Sequence, residues 1–148
     1  MENKIRLEFT GIGENVALAR LVVASLAGQL NFTLSDIEEL KVAVSEAVSN
    51  SIIHGYNAVP SGIVILEAWS DIDSLVIKIV DMGKGIADIQ KAMEPAYSTE
   101  PDRMGLGFVF MQSFMDDLQV DSEPGKGTTV TLVKKISTDA GRLNSSQN

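Results

Sequence analysis

The chain has 148 residues, of which 45% are hydrophobic and 22% are charged, so one globular domain with a packed core is expected and a disordered chain is excluded. It has no cysteine, which excludes disulfides, thiolate metal sites and cysteine nucleophiles. The formal charge of −8 opposes direct binding to nucleic-acid phosphates and suits either solubility or a basic protein partner.

The first predicted element is a strand from Lys4 to Thr10. Hydrophobic and charged residues alternate there, which is typical of a strand with one buried face, and we place it at or near a sheet edge. These charges, and the lack of any apolar run of about 18 residues, indicate neither export nor membrane insertion. A cytoplasmic protein is therefore expected.

Two helices follow in the predicted order. The first runs from Glu14 to Leu30 and has a broad apolar stripe. The second begins near Thr33, where Thr33 or Ser35 can cap the free amides, and it runs to His54 before Gly55. This second helix is the longest predicted element.

The remaining elements are shorter and are interrupted by one long glycine-containing loop. In chain order, we predict a hairpin of Ile63 to Trp69 and Leu75 to Val80, a mobile loop from Gly83 to Gly107 with a short helical stretch at Asp88 to Met93, a helix through Phe108 and Met115, and strands at Leu118 to Ser122 and Thr128 to Lys135. This order predicts an α+β domain, with helices on one face of a mixed, mostly antiparallel sheet.

The second helix carries a polar stripe formed by Glu46, Asn50 and His54, which are spaced by four residues. Apolar residues flank Glu46 and Asn50, so their surface is poorly suited to bulk solvent. Because burying an unpaired carboxylate is costly, we interpret the stripe as one wall of a pocket for a cation or ligand. The alternative is that these are ordinary solvated helix positions.

Two glycine motifs lie at predicted element boundaries. Asp81-Met82-Gly83-Lys84-Gly85-Ile86 follows a strand, and its glycines permit either close approach to a ligand or an ordinary strand-ending turn. Gly105-Leu106-Gly107 comes directly before the Phe108 helix, where free amides would suit a triphosphate. Neither motif is a lysine-containing P-loop or a dinucleotide fingerprint.

The order of an Asn-bearing helix, an Asp-x-Gly-x-Gly turn, a loop and a Gly-x-Gly helix start resembles the GHKL superfamily of ATP-binding domains. The segments Val44 to Tyr56 and Glu123 to Val130 are more closely similar to the sporulation anti-sigma-F factor family of serine-protein kinases. The resemblance covers about residues 1–136 and implies a two-layer α/β sandwich of the GHKL (Bergerat) type. Residues 137–148 are expected to be a flexible tail.

The resemblance also implies roles for residues at the matching positions. Glu46 would be the general base that accepts the proton of a serine hydroxyl, and Asn50 would coordinate Mg²⁺ between the phosphates of ATP. Asp81 would accept a hydrogen bond from the adenine amino group, beside the turn that Gly83 and Gly85 shape. In phosphoryl transfer, most of the reduction in the activation barrier comes from positioning of the reactants and from metal ions that bridge the phosphates.

Further matching positions concern the phosphates, the adenine and a partner. Gly105 and Gly107 would contact phosphates, while either Thr128 or Thr129, with Thr129 taken as the candidate, would support the adenine through a water. Arg103 would neutralise the terminal phosphate, unless it is a plain surface residue. The loop departs from the family because it is about two residues shorter before Arg103 and has Glu100 where lysine is common, which puts its phosphate contacts in doubt.

The family implies a homodimer that binds a sigma factor when ATP is bound and phosphorylates a serine on an anti-anti-sigma antagonist. Arg20 would contact a partner protein, although a surface arginine also has a plain structural explanation. Two alternatives remain open: a general-stress anti-sigma kinase and a nucleotide-gated binding module without kinase activity. A histidine-kinase fragment is not expected, because His54 is the only histidine and lies inside the nucleotide site.

Overall fold

The computed structural model describes residues 3–57, 62–94 and 104–137. Every helix and strand expected from the sequence is found there, in the expected order. The bounds are β1 Asn3–Thr10, α1 Glu14–Ala27, α2 Leu34–Asn50, β2 Ile63–Ser70, β3 Ser74–Asp81, α3 Ile89–Ala92, α4 Met104–Phe114, β4 Asp117–Glu123 and β5 Gly127–Lys135. One π-helical turn, Ser51–Gly55, continues α2.

The described strands form one five-stranded sheet in the order β1-β2-β3-β5-β4. All four neighbouring pairs are antiparallel, so the expectation of a mixed sheet is wrong while the α+β class is confirmed. The physical reason is connectivity: β2 and β3 form one hairpin, β4 and β5 form another, and the second hairpin adds to β3 through β5. The edge position expected for β1 is confirmed.

The core lies between the sheet and a single layer of helices. Alternate residues of the three central strands are buried beneath α1, α2 and α4, as the period of two requires; they are Val64, Leu66, Ala68, Leu75, Ile77, Ile79, Val130 and Leu132. Helix α2 packs against both α1 and α4. Its polar stripe is therefore held at the border between the helices and the ends of β3 and β5.

The ends of the helices refine the expected bounds. Helix α1 ends at Ala27, and residues 28–31 form turns. Helix α2 begins with a capping box in which Thr33 Oγ1 accepts from the Asp36 amide at 3.0 Å and Asp36 Oδ2 accepts from the Thr33 amide at 2.9 Å, so Thr33 rather than Ser35 is the cap. Within the described ranges, no helix combines the length and apolar character needed to cross a bilayer.

Candidate functional site

A cavity lies where the end of α2 and the π-helical turn meet α4 and the ends of β3 and β5. It brings Asn50 and His54 of the polar stripe together with the Asp81 turn. The residues that line it are Ala47, Asn50, Ser51, His54, Gly55, Asp81, Gly85, Ile86, Phe108, Thr128 and Val130. Three predicted site residues, Asn50, Asp81 and Gly85, therefore share one cavity.

Asp81 is the last residue of β3 and is only 4% exposed. Its Oδ1 accepts from the Gly83 amide at 3.0 Å, and Ser51 and Thr128 lie close enough to stabilise the charged carboxylate. Burial raises the pKa of Asp81 above its ordinary value of 3.8, while these interactions oppose the rise. A carboxylate has about four acceptor positions, so a ligand amino group would still find an acceptor here.

Gly55, at the end of the π-helical turn, is a site residue that the sequence reasoning used only as a helix stop. A Cβ at Gly55 would lie 2.8 Å from Asp81 Oδ1, so a side chain here would displace the carboxylate. The Gly55 carbonyl accepts from the Lys84 amide at 2.9 Å. Insertions of this π type are frequent at functional sites, and this one brings the end of α2 against the Asp81 turn.

The two glycines of the Asp81 turn pack directly against neighbouring backbone. A Cβ at Gly83 would overlap the Gly55 carbonyl, and one at Gly85 would overlap the Glu123 carbonyl. Gly85 also has a φ of 75°, which favours glycine. The turn-shaping part of their expected role therefore has a structural cause, whereas a direct ligand contact stays a prediction.

The Gly-x-Gly motif was expected directly before the last helix. It lies instead inside the first turn of that helix, because α4 already begins at Met104. The first amides of a helix have no partner within the helix, so the anion-binding argument still applies to this turn. A Cβ at Gly107 would lie 2.9 Å from Glu46 Oε2 and 3.4 Å from Asn50 Nδ2. The absence of a side chain thus lets α4 approach the polar stripe closely.

Asn50 and Glu46 are both partly buried on the side of α2 that faces Gly107. The Nδ2 of Asn50 is buried and has no hydrogen-bond partner in the part of the chain that the structure describes. A buried donor without an acceptor is costly, so its position favours a ligand that brings an oxygen acceptor. This is the arrangement expected beside a phosphate.

The structure distinguishes the two threonine candidates, Thr128 and Thr129, by their positions in the sheet. Strand β5 pairs Thr128 with Asp81 and Thr129 with Val80, so the two threonines lie on opposite faces of the sheet. Thr128 is 8% exposed and lines the cavity, with its hydroxyl 2.8 Å from Ser122 Oγ. Thr128, rather than Thr129, is therefore the threonine beside Asp81.

Arg20 lies on α1, away from the cavity, and its Nη1 donates to Ser45 Oγ at 3.3 Å. It lines an open groove between α1 and α2 whose other members are Glu38, Lys41, Val42, Ser45 and Glu46. Glu46 therefore connects the groove with the Gly107 side of α2. Arg103, Glu100 and the shortened loop lie outside the described residues.

Comparisons with known proteins agree with this geometry. Residues 12–134 match the histidine kinase-like ATPase domain family. The anti-sigma F factor of Clostridium beijerinckii is 49% identical over 137 residues, which cover 91% of this chain and 96% of that protein. The chain belongs to the anti-sigma F factor family of histidine kinase-like ATPases.

Other members and structural neighbours place the domain in the same family and fold. The anti-sigma F factor of Clostridium acetobutylicum is 48% identical over 138 residues, covering 92% of this chain and 96% of the relative. The structure of the RsbU and RsbW domains of Rv1364c from Mycobacterium tuberculosis has a TM-score of 0.65 at 18% identity, covering 90% of this chain and 32% of that one. The histidine kinase domain of the Erythrobacter litoralis EL346 blue-light activated histidine kinase has a TM-score of 0.56 at 18% identity, covering 84% and 60%. The last two likenesses concern the fold alone.

In this anti-sigma F family member, Tyr56 ties the π-helical turn to the Asp81 turn. Its hydroxyl donates to the Ile63 carbonyl at 2.7 Å and accepts from the Met82 amide at 2.6 Å. We expect Tyr56→Phe to lower the free energy of unfolding by about 1 kcal/mol and to weaken ATP binding several-fold, because the residue after Asp81 loses its anchor. Chemical denaturation and ATP titration measure the two effects, and unchanged ATP affinity would contradict the anchoring role.

The raised pKa of Asp81 gives this ATPase domain a defined pH dependence. Protonation is more favourable in the folded state, so the stability that Asp81 contributes is fully present below pH 3.8 and is lost as the pH rises through the raised pKa. We expect the difference between the unfolding free energies of the parent and of Asp81→Asn to decrease as the pH rises above 3.8. Denaturant titrations without nucleotide measure this difference, and a constant or rising difference would contradict it.

Proposed function

We propose that the chain is an ATP-dependent anti-sigma factor that binds a sigma factor of the sporulation sigma-F type and phosphorylates a serine on the anti-anti-sigma antagonist. The observation that carries the proposal is the junction of Gly107 with Glu46 and Asn50, beside a cavity that ends on buried Asp81. The close relatives named anti-sigma F factor support the choice of partner over the general-stress alternative.

The Asp81 end of the cavity suits adenine. The carboxylate is buried and presents acceptor capacity to the cavity, so it would receive a hydrogen bond from the adenine amino group. Guanine has a carbonyl at the corresponding ring position, which would set two acceptors against each other. Thr128, on the neighbouring strand, offers a hydroxyl beside the same group, either directly or through a water.

The Asn50 end suits the phosphates. The first-turn amides of α4 would bind phosphate oxygens, and the orphaned Nδ2 of Asn50 would find an acceptor among them. No group of three or more His, Cys, Asp or Glu side chains within the described ranges could hold a metal by itself. Mg²⁺ commonly binds through few protein ligands and through phosphate oxygens, so Asn50 Oδ1 fits as a ligand when ATP is present. The ion would neutralise phosphate charge during transfer.

Glu46 is the general base in this proposal. Its Oε2 faces the Gly107 side of α4, where the phosphates would end, and the same side chain lines the open groove. A serine hydroxyl that enters from the groove would lose its proton to Glu46 as it attacks the terminal phosphorus, and ADP would leave. Arg20, in the same groove, would contact the partner protein. Arg103 is proposed to neutralise the terminal phosphate, and the active species is proposed to be a homodimer.

The test uses the full chain, γ-labelled ATP with Mg²⁺, and purified candidate antagonist and sigma proteins from the source genome. We expect label on an antagonist serine, loss of transfer when EDTA removes Mg²⁺, and sigma-factor retention that is stronger with ATP than with ADP. Tight ATP binding and sigma retention without any labelled serine would instead support the nucleotide-gated binding module. Equal retention with and without nucleotide would contradict ATP dependence.

A further inference from the structure

Lys134 forms a polar junction on the helix-facing side of β5, four residues after the cavity residue Val130 and outside the lining of the cavity. The side chain belongs to a residue only 8% exposed, and its Nζ lies 2.7 Å from Glu39 Oε2 on α2. The same Nζ donates to the Phe114 carbonyl, the last residue of α4, at 2.6 Å. One ammonium group therefore joins β5, α2 and the end of α4.

Both helices carry a site residue seven positions from this junction. Glu46 lies seven residues after Glu39 on α2, and Gly107 lies seven residues before Phe114 on α4. At 1.5 Å per residue, each interval spans about 10.5 Å. The two helices therefore meet at two points with matched spacing: Phe114 with Glu39 through Lys134, and Gly107 with Glu46.

The junction supplies a directional contact between α4 and α2, in addition to the bond from the Asp116 amide to the Val133 carbonyl at 2.9 Å that ties the chain after α4 to β5. The buried α4 side chains include Phe108 and Met111, and hydrophobic contact is non-directional, so it fixes the axial position of a helix poorly. The Phe114 carbonyl belongs to the last turn of α4. The carbonyl groups of this turn have no partner within the helix and form the negative end of the helix dipole. A buried ammonium that binds this carbonyl and a carboxylate on α2 holds the end of α4 at one place.

We propose that Lys134 is a positioning residue that sets the register of α4 along α2 and thereby places Gly107 against Glu46 and Asn50. The consequence for phosphotransfer rests on the proposed function, whereas the register itself does not. Because a displacement of about 1 Å can cost about 100-fold in rate, a register shift would lower kcat. ATP affinity would also fall, because the first turn of α4 would contact the phosphates, but by less than kcat, since Asp81 itself belongs to β3.

The test compares Lys134→Met, Glu39→Gln and the control Lys4→Met in the full chain. Lys4 forms a 3.1 Å ion pair with Glu67 on the opposite face of the sheet. Its substitution therefore also removes one lysine charge, but at a position that does not contact α4. We expect Lys134→Met to shift the Gly107 amide and the Asn50 side-chain amide signals in NMR spectra without nucleotide. We also expect it to lower kcat about 10- to 100-fold and to raise the KM for ATP by a smaller factor. Glu39→Gln should give a smaller change of the same sign, and Lys4→Met none.

A lower melting temperature for Lys134→Met with parental NMR signals and parental kcat would overturn the proposal, because a purely structural contact predicts that result. If Lys134→Met does not fold, Glu39→Gln decides by the same signals, since it keeps the bond to Phe114. If the parent transfers no phosphate, the proposed function fails. The NMR comparison without nucleotide would still confirm or overturn the role of Lys134 in setting the α4 register.

Discussion

Replacing Glu46 with glutamine is expected to lower the rate of phosphotransfer by about two to four orders of magnitude. Glutamine is nearly isosteric, so it should fit against Gly107, where a Cβ would already lie 2.9 Å from Glu46 Oε2. It cannot accept the proton of the attacking hydroxyl. ATP affinity should therefore stay within about tenfold of the parent, because only the proton-transfer step is lost. Single-turnover label transfer and ATP titration measure the two quantities.

Glu8→Gln is the matched control for this substitution. Glu8 belongs to an exposed ion pair with Arg6 on the edge strand, so the same chemical change there should leave both transfer and binding at the parental values. A large loss of ATP affinity in Glu46→Gln would contradict the base assignment and would indicate a ligand-binding role. Retained transfer would contradict it as well.

The fold could be predicted because local patterns determine most of it. Alternation in β1 and the hairpin of β2 and β3 indicates buried faces, and the Thr33 cap marks the start of α2. The sheet order could not be read in the same way, because the insertion of β5 between β3 and β4 depends on how two hairpins associate. The antiparallel pairing of β3 with β5 is a long-range choice made by the core.

Some residues of the candidate site could likewise be predicted from the sequence, and others could not. Asp81 could be proposed because it ends a strand before a glycine motif, and Asn50 because it belongs to a polar stripe on a helix; the structure places both in one cavity. Gly55 could not, since its importance comes from a carboxylate 26 residues away in the chain. The choice between Thr128 and Thr129 depends on the phase of β5, which places Thr128 beside Asp81. Thr128 alternates with apolar Val130, and this period was the available signal that Thr128 faces inward.

Replacing Asp81 with asparagine is expected to weaken ATP binding roughly 10- to 100-fold and to remove the preference for ATP over GTP. The loss corresponds to a hydrogen bond to a charged group, about 1.5–3 kcal/mol. Asparagine also offers a donor, which could pair with the guanine carbonyl and so erases the discrimination. Competition titrations with ATP and GTP measure both effects. Equal binding of the two nucleotides by the parent protein would contradict the assignment.

Gly55→Ala examines the same carboxylate from the opposite side. The added methyl group would lie 2.8 Å from Asp81 Oδ1, so it should displace the carboxylate and weaken ATP binding without changing its charge. Gly13→Ala is the control, because a Cβ there meets nothing within 4 Å and the backbone is already helical. If both site substitutions act through one hydrogen bond, their effects in the double variant should be far from additive. Fully additive losses would mean that Gly55 supports binding through some other contact.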